Sequence, residues 1–270
     1  MLALMNMVKP AFSDVDNERF KSILTVSGIS EERSEDLEDK RRSLKLLGIK
    51  ECPHLTPEGI LALVGYCQCL RELSLSYSLL SDELLTALSS QDDLVLETFR
   101  VEAQSGKKPL PKISEKVWYN FSNRLPHINF ELLSYMTEEA DFDSVFTPHL
   151  PVTHLYFGES LSEAIAARIG REYQRLIELV IATYGPGTID EILLSVARGC
   201  PSLTSVGLGD CEVTCSKLIE FVTLCAKRLR ILYVWETALM EDAEFDITEL
   251  AAKVSILLGR TWVPEYIPLW

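Results

Sequence analysis

A chain of 270 residues, 47% of them hydrophobic, can bury a sizeable core, which excludes disorder as its general state. A formal net charge of −14 argues against a nucleic-acid backbone as partner, and no apolar run reaches the roughly 18 residues a membrane helix needs. Seven cysteines at irregular spacing suit a reducing compartment, cytosol or nucleus, better than a disulfide framework.

Residues 1–43 follow no internal period. The opening Met1-Leu2-Ala3-Leu4-Met5 lacks the charged flank and the length of a signal peptide. The charge run from Glu31 to Arg42 predicts a helix or a solvated linker. From Leu44 onward the pattern apolar-x-x-apolar-x-apolar recurs. It stands at Leu44-Leu47-Ile49, Leu70-Leu73-Leu75, Leu96-Phe99-Val101, Val152-Leu155-Phe157, Leu176-Leu179-Ile181, Leu203-Val206-Leu208 and Leu229-Leu232-Val234, with a looser copy at Ile128-Phe130-Leu132. The first positions are 44, 70, 96, 128, 152, 176, 203 and 229, a near-constant period that non-repetitive folds do not produce.

Helix starts fall between these copies. Thr56-Pro57-Glu58 sets a cap residue before a first-turn proline, and Ile60, Leu61, Leu63 and Val64 supply an inward face. Ser81-Asp82-Glu83 opens the next helix, with Leu84, Leu85 and Leu88. Thr188-Ile189-Asp190-Glu191 reads as a capping box ahead of Ile192, Leu193 and Val196, and Thr214 starts another helix with Leu218, Ile219 and Val222. One strand and one helix per period define the expected fold class, α/β, a leucine-rich-repeat solenoid. The expected shape is a curved horseshoe with parallel strands on the concave face and helices outside. The expected division is an irregular segment 1–43, a repeat domain of about eight repeats over 44–258, and a tail, 259–270.

The longest period holds an insert from Ser105 to Lys112, rich in turn formers and lysine, a solvated loop or a partner contact. Eight residues after each first apolar position stand Cys52, Ser78, Gln104, Met136, Ser160, Tyr184, Cys211 and Thr237, mostly small residues expected to satisfy backbone groups in the bend after a strand. Cys67 and Cys200 precede strands by equal spacing, with Cys225 one residue out of register. These cysteines are expected as buried free thiols, since no CxxC pair or zinc-ligand spacing accompanies them. His54, His127, His149 and His154 belong to no nucleophile or metal motif, and Gly185-Pro186-Gly187 and Gly207-Leu208-Gly209 are expected as turns. Glu138, Glu139, Asp141 and Asp143 lack calcium-loop spacing and read as a solvated acidic loop. The expectation is a protein that is not an enzyme and carries no cofactor and no metal.

After Gly259 the helical pattern stops, and Pro264 and Pro268 forbid regular helix through the final residues. By its residues alone the tail either caps the open end of the solenoid or enters a neighbouring protein. Several segments resemble the F-box/leucine-rich-repeat proteins of the circadian clock, which recognise cryptochromes. They are Leu70-Arg71-Glu72-Leu73-Ser74-Leu75, Leu79 to Leu85, Thr153-His154-Leu155-Tyr156-Phe157-Gly158, Gly207 to Val213, and the ending Leu258 to Trp270 with its two tryptophans. The resemblance implies a horseshoe holding a cryptochrome-like protein. Pro264, Tyr266, Ile267, Pro268, Leu269 and Trp270 would enter the partner's flavin pocket, Trp270 as anchor and Trp262 as the better candidate for an internal cap. It further implies delivery for ubiquitination and proteasomal degradation through a Skp1–cullin-1 ligase, acting in cytoplasm and nucleus. The F-box of that family has no counterpart pattern in residues 1–43, so ligase recruitment is expected only if the full-length product carries one. The alternative is a stand-alone repeat binder, or decoy, that holds the same partner.

Overall fold

Alternation along a short strand buries one face, and a helix that returns over that face completes the core; neither is stable alone. The computed structural model describes residues 45–49, 56–64, 69–90, 95–106, 110–161, 163–183 and 187–265. Expectations placed on residues 1–43, on Leu44, Cys52, His54, Cys67, Tyr184 and Gly185, and on Tyr266, Ile267, Pro268, Leu269 and Trp270, lie outside the described residues. The elements run β1 (Leu46–Ile49), α1 (Pro57–Val64), β2 (Glu72–Ser76), α2 (Asp82–Ser90), β3 (Thr98–Gln104), α3 (Glu115–Arg124), β4 (Asn129–Tyr135), α4 (Glu139–Val145), β5 (Val152–Phe157), α5 (Glu163–Glu172), β6 (Glu178–Ile181), α6 (Asp190–Gly199), β7 (Ser205–Leu208), β8 (Val213–Thr214), α7 (Cys215–Cys225), β9 (Ile231–Val234), β10 (Leu239–Met240) and α8 (Ile247–Leu258).

Eight strands pair in parallel in strict chain order, β1 to β7 and then β9, the topology of a solenoid; β8 and β10 form a separate short parallel ladder. One unbroken row of side chains crosses all eight strands on the buried face: Ile49, Leu75, Val101, Leu132, Leu155, Leu179, Val206 and Leu232. The copies of the motif do not stack position for position along this row. The third apolar residue of the first three copies (Ile49, Leu75, Val101) lies level with the second of the later ones (Leu155, Leu179, Val206). Strand β4 makes the change. It is seven residues long, and a β-bulge at its junction with β5 lets Phe130 face Val152 while Glu131 already faces His154. The looser copy of the pattern marks this shift of register.

The longest period is filled by aromatic rings. Trp118 and Phe121 of α3 pack on Phe99 and Phe130 at centroid distances of 5.4–5.9 Å, mostly edge to face. Further along, Phe146 meets Phe142, Phe157 and Tyr173. The four acidic residues 138, 139, 141 and 143 are not a loop: Glu139, Asp141 and Asp143 ride on α4, because Phe142, Val145 and Phe146 give that stretch an apolar side to bury.

Thr56 and Ser81 cap as expected, accepting from the backbone N–H of Gly59 at 3.4 Å and of Leu84 at 3.1 Å. Thr188 does not cap α6. It bridges to Glu212 of the next repeat, and the carboxylate of Asp190 accepts instead from the backbone N–H and hydroxyl of Thr214, each at 3.0 Å. Neighbouring repeats thus outcompete the local box. A complete capping box stands where none was expected, between Asp246 and Glu249, and Gly259 ends α8 at φ +66°.

The small-residue column is confirmed in part. Ser160 donates to the carbonyl of Met136 at 3.2 Å, and Cys211 to that of Ile181 at 3.7 Å. Ser78 and Thr237 sit exposed in 3-10 turns, Gln104 is exposed, and Met136 is fully buried core. Gly207 is a strand residue rather than a turn.

Candidate partner-binding face

The strand residues that alternate with the core row point to the concave side, and the register groups them. One row runs Ser74, Arg100, Glu131, His154, Glu178, Ser205, Ile231, and the next Ser76, Glu102, Leu133, Tyr156, Val180, Gly207, Tyr233. A third starts at Gln104 and Tyr135. The N–H groups of Gly158, Ala182, Gly209 and Trp235, donating to the carbonyls of Ser134, Phe157, Ile181 and Leu208, carry that row on to β9. From β1 to β3 the rows are polar apart from Leu46 and Gly48. From β4 to β9 two of them become apolar and aromatic.

Glycines shape this second half. A Cβ on Gly158 would lie 2.6 Å from the Tyr135 ring, and one on Gly209 would lie 3.2 Å from the Trp235 ring. Each ring therefore packs closely on the bare backbone of the adjacent strand. The result is a smooth apolar floor ending at Ile231 (40% exposed) and Tyr233 (50% exposed). Exposed apolar side chains grouped on one face mark an interaction surface. Burial, together with the carboxylates of Glu102 and Glu159, raises the Tyr135 hydroxyl above its ordinary pKa.

The start of the tail borders this floor. Trp262 is buried against the last strand; its indole N–H donates to the carbonyl of Leu232 at 2.8 Å, and its backbone N–H to Ser255 Oγ at 2.9 Å. Glu265 then donates its N–H to Val234 at 2.7 Å and bridges in parallel to Trp235. The chain so covers an otherwise open strand edge. Pro264, half-buried, stands in this segment; Val263 beside it is 65% exposed. Of the six tail residues singled out by sequence, Pro264 alone falls among the described residues.

His127 and His149 are exposed, and His154 shares a hydrogen bond with Thr153 at 2.9 Å. Among the described residues no group of three or more His, Cys, Asp or Glu could hold a metal. The described cysteines are free. Burial pushes the Cys200 and Cys215 thiols up to about 11 and Cys211 to about 12, so all three are neutral at physiological pH.

A concave apolar floor on a parallel-strand solenoid, bounded by a covered terminal edge, defines a leucine-rich-repeat protein. No protein-family model matches the chain. Its full length aligns with F-box/LRR-repeat protein 21 of mouse (Mus musculus) at 38% identity, of cattle (Bos taurus) at 36% and of sheep (Ovis aries) at 35%. The chain is thus a homologue of the F-box/LRR-repeat proteins. It spans 66% of the length of these relatives. Solved structures with a similar course include the complex of Rad7 and Elc1 from yeast, at a TM-score of 0.44 and 15% identity over 82% of this chain and 62% of that one. The complex of TLR13 with ssRNA13 follows at 0.38 and 14%, over 74% and 29%.

Proposed function

We propose that this protein works by binding alone, as the substrate-holding part of a Skp1–cullin-1–F-box type ubiquitin ligase, and that its substrate is a cryptochrome-like protein. The observation that carries the reading is the burial of Trp262 against the last strand. Trp262 already covers the end of the solenoid, so the apolar ending Tyr266-Ile267-Pro268-Leu269-Trp270 is not needed as a cap and serves as the partner's anchor. That ending follows a segment bordering the aromatic floor of β4 to β9, so floor and anchor would grip one protein. The resemblance of the tail and of Thr153 to Gly158 to the cryptochrome-recognising family supports the identity of the substrate. The F-box/LRR-repeat relatives support the ligase role. Buried free thiols suit the cytoplasm and nucleus as the place of action.

Removing Pro268, Leu269 and Trp270 tests the reading. Binding of a purified cryptochrome should weaken at least about thirtyfold, the cost of losing a central tryptophan. The melting temperature should stay within a degree or so of the parent. A large loss of stability with binding preserved would make the tail a cap. Co-purification of Skp1 with the full-length product decides between ligase subunit and stand-alone binder.

A further inference from the structure

At Tyr135 of β4, the first ring of the apolar floor, the concave face opens into a cleft of about 420 Å³ lined by Glu102, Gln104, Ser105, Tyr135, Thr137 and Glu159. Backbone contacts set its walls. Gln104 lies level with Tyr135 across β3 and β4. Ser105 Oγ accepts from the N–H groups of Thr137 and Glu138, each at 3.1 Å, which ties the ends of those two strands together. Gly158 donates to the Ser134 carbonyl at 3.0 Å, and its missing side chain lets the Tyr135 ring pack against it, so Glu159 follows directly beside that ring.

The cleft is acidic. Gln104 Nε2 donates to Glu102 Oε1 at 2.6 Å and steadies that carboxylate on the β3 side of Tyr135, while Glu159 is exposed on the β5 side. Burial raises the Tyr135 hydroxyl most, and the charges of Glu102 and Glu159 add to the rise, which places both carboxylates within electrostatic reach of one phenol. Among the described residues that line the cleft none is a cation, and Arg100, the cation of β3, is held by Glu131 at 2.6 Å.

Tyr135 belongs to the floor and to the cleft, so a protein that covers one covers the other. Covering strips water from two like charges, and a neutral or acidic surface there leaves them desolvated and unbalanced. A basic side chain turns the same burial into attraction. The ring between the carboxylates selects among cations. A guanidinium stacks on an aromatic face and presents several N–H donors to flanking oxygens, which an ammonium, a compact point charge, does less well.

We infer that a protein docked on the apolar floor places an arginine side chain in the cleft between Glu102 and Glu159, against the Tyr135 ring. This rests on the reading of the concave face as the substrate-holding surface, and it gives that surface a direction. The partner's apolar contacts lie toward β9 and its positive charge toward β3.

The test separates this inference from the identity of the substrate. The full chain is titrated at low salt with acetyl-argininamide and with acetyl-citrullinamide, its neutral isostere, following the backbone amides of Thr137 and Gly158 by NMR. The parent should bind the arginine compound about tenfold more tightly, the sum of two exposed charge pairs and a cation–π contact. Glu102→Gln/Glu159→Gln should lose that preference, and Glu159→Gln alone, a change at an exposed side chain that leaves the fold intact, should reduce it. Glu139→Gln/Asp141→Asn, on α4, should keep it. Equal response of the parent to both compounds overturns the inference, as does an undiminished preference in Glu159→Gln. An equal loss in the α4 variant overturns it too, since that marks a diffuse effect of the chain's net charge of −14. Purified cryptochrome is then bound to the parent and to Glu159→Gln. Weaker binding to the variant with a flatter salt dependence supports the inference. Unchanged binding overturns it while leaving the substrate reading standing. Failure of cryptochrome to bind the parent removes that reading, whereas the arginine preference then decides the inference.

Discussion

The two parts of the concave surface are built on the same backbone and differ in two of their three outward rows. Strands β2 and β3 present Ser74, Ser76, Thr98, Arg100, Glu102 and Gln104; the stretch from β4 to the residue after β9 presents Leu133, Tyr135, Tyr156, Val180, Tyr233 and Trp235, with glycines where the Tyr135 and Trp235 rings pack on the neighbouring strand. Behind both, the same buried row runs without a break. Folding therefore constrains one side of each strand and leaves the other free to specialise. In this protein the specialised side lies next to the tail.

The largest effect tests what the halves share. Val206 is fully buried in the common row, and Val206→Asp would place an unpaired charge there. Several kcal/mol should be lost from a total of about 5–15, and thermal unfolding should show both halves failing together. A variant that melted like the parent would refute the register.

Trp262→Ala sharpens the contrast between the ends. The side chain is 7% exposed and its indole N–H is satisfied by Leu232, so truncation should cost about 3–5 kcal/mol, read as a lower urea midpoint. The same loss in the variant lacking Pro268 to Trp270 would erase the division between cap and anchor.

Next comes the comparison of outward residues. Tyr233→Ala, at the exposed edge of the apolar floor, should weaken partner binding about tenfold with little change in stability. Ser74→Ala, on the polar half, should change neither by more than experimental error. Equal losses from the two would show that partner contact does not follow the apolar half.

The smallest effect is a pH dependence. Asp242 accepts from the backbone N–H groups of Ser216 at 2.7 Å, Glu244 at 2.9 Å and Phe245 at 3.1 Å, the bond from Ser216 counting most, and its pKa is held at about 2 against an ordinary 3.8. The folded state holds the proton less well than the unfolded chain. The stability from this clamp is thus complete above about pH 4 and fades as pH falls from about 4 to 2. Urea midpoints of the parent should decline across that window, and those of Asp242→Asn should decline less.

Much of this was legible in the residues. A fixed period of apolar positions can be satisfied only by stacking, so the solenoid, its parallel sheet and the burial of Leu73, Val206 and Leu232 followed from spacing alone. The concave floor also left a sequence signal: Leu133, Tyr135, Tyr156, Tyr233 and Trp235 are apolar residues at alternate positions that a half-solvated strand would fill with polar ones.

Other features were settled only in three dimensions, where groups far apart in the chain compete. Thr188 had the right neighbours for a capping box, but Glu212, in the next repeat, offered a better-placed partner. Whether the first apolar residue of one copy lies level with the first of the next depends on a single bulge between β4 and β5. No count along the chain reveals that Glu178, on the outward side of β6, is buried, because residues of neighbouring strands, far away in sequence, surround it. Local spacing determines which face of each element is buried; which repeat supplies each partner is decided by the packing of repeats on one another.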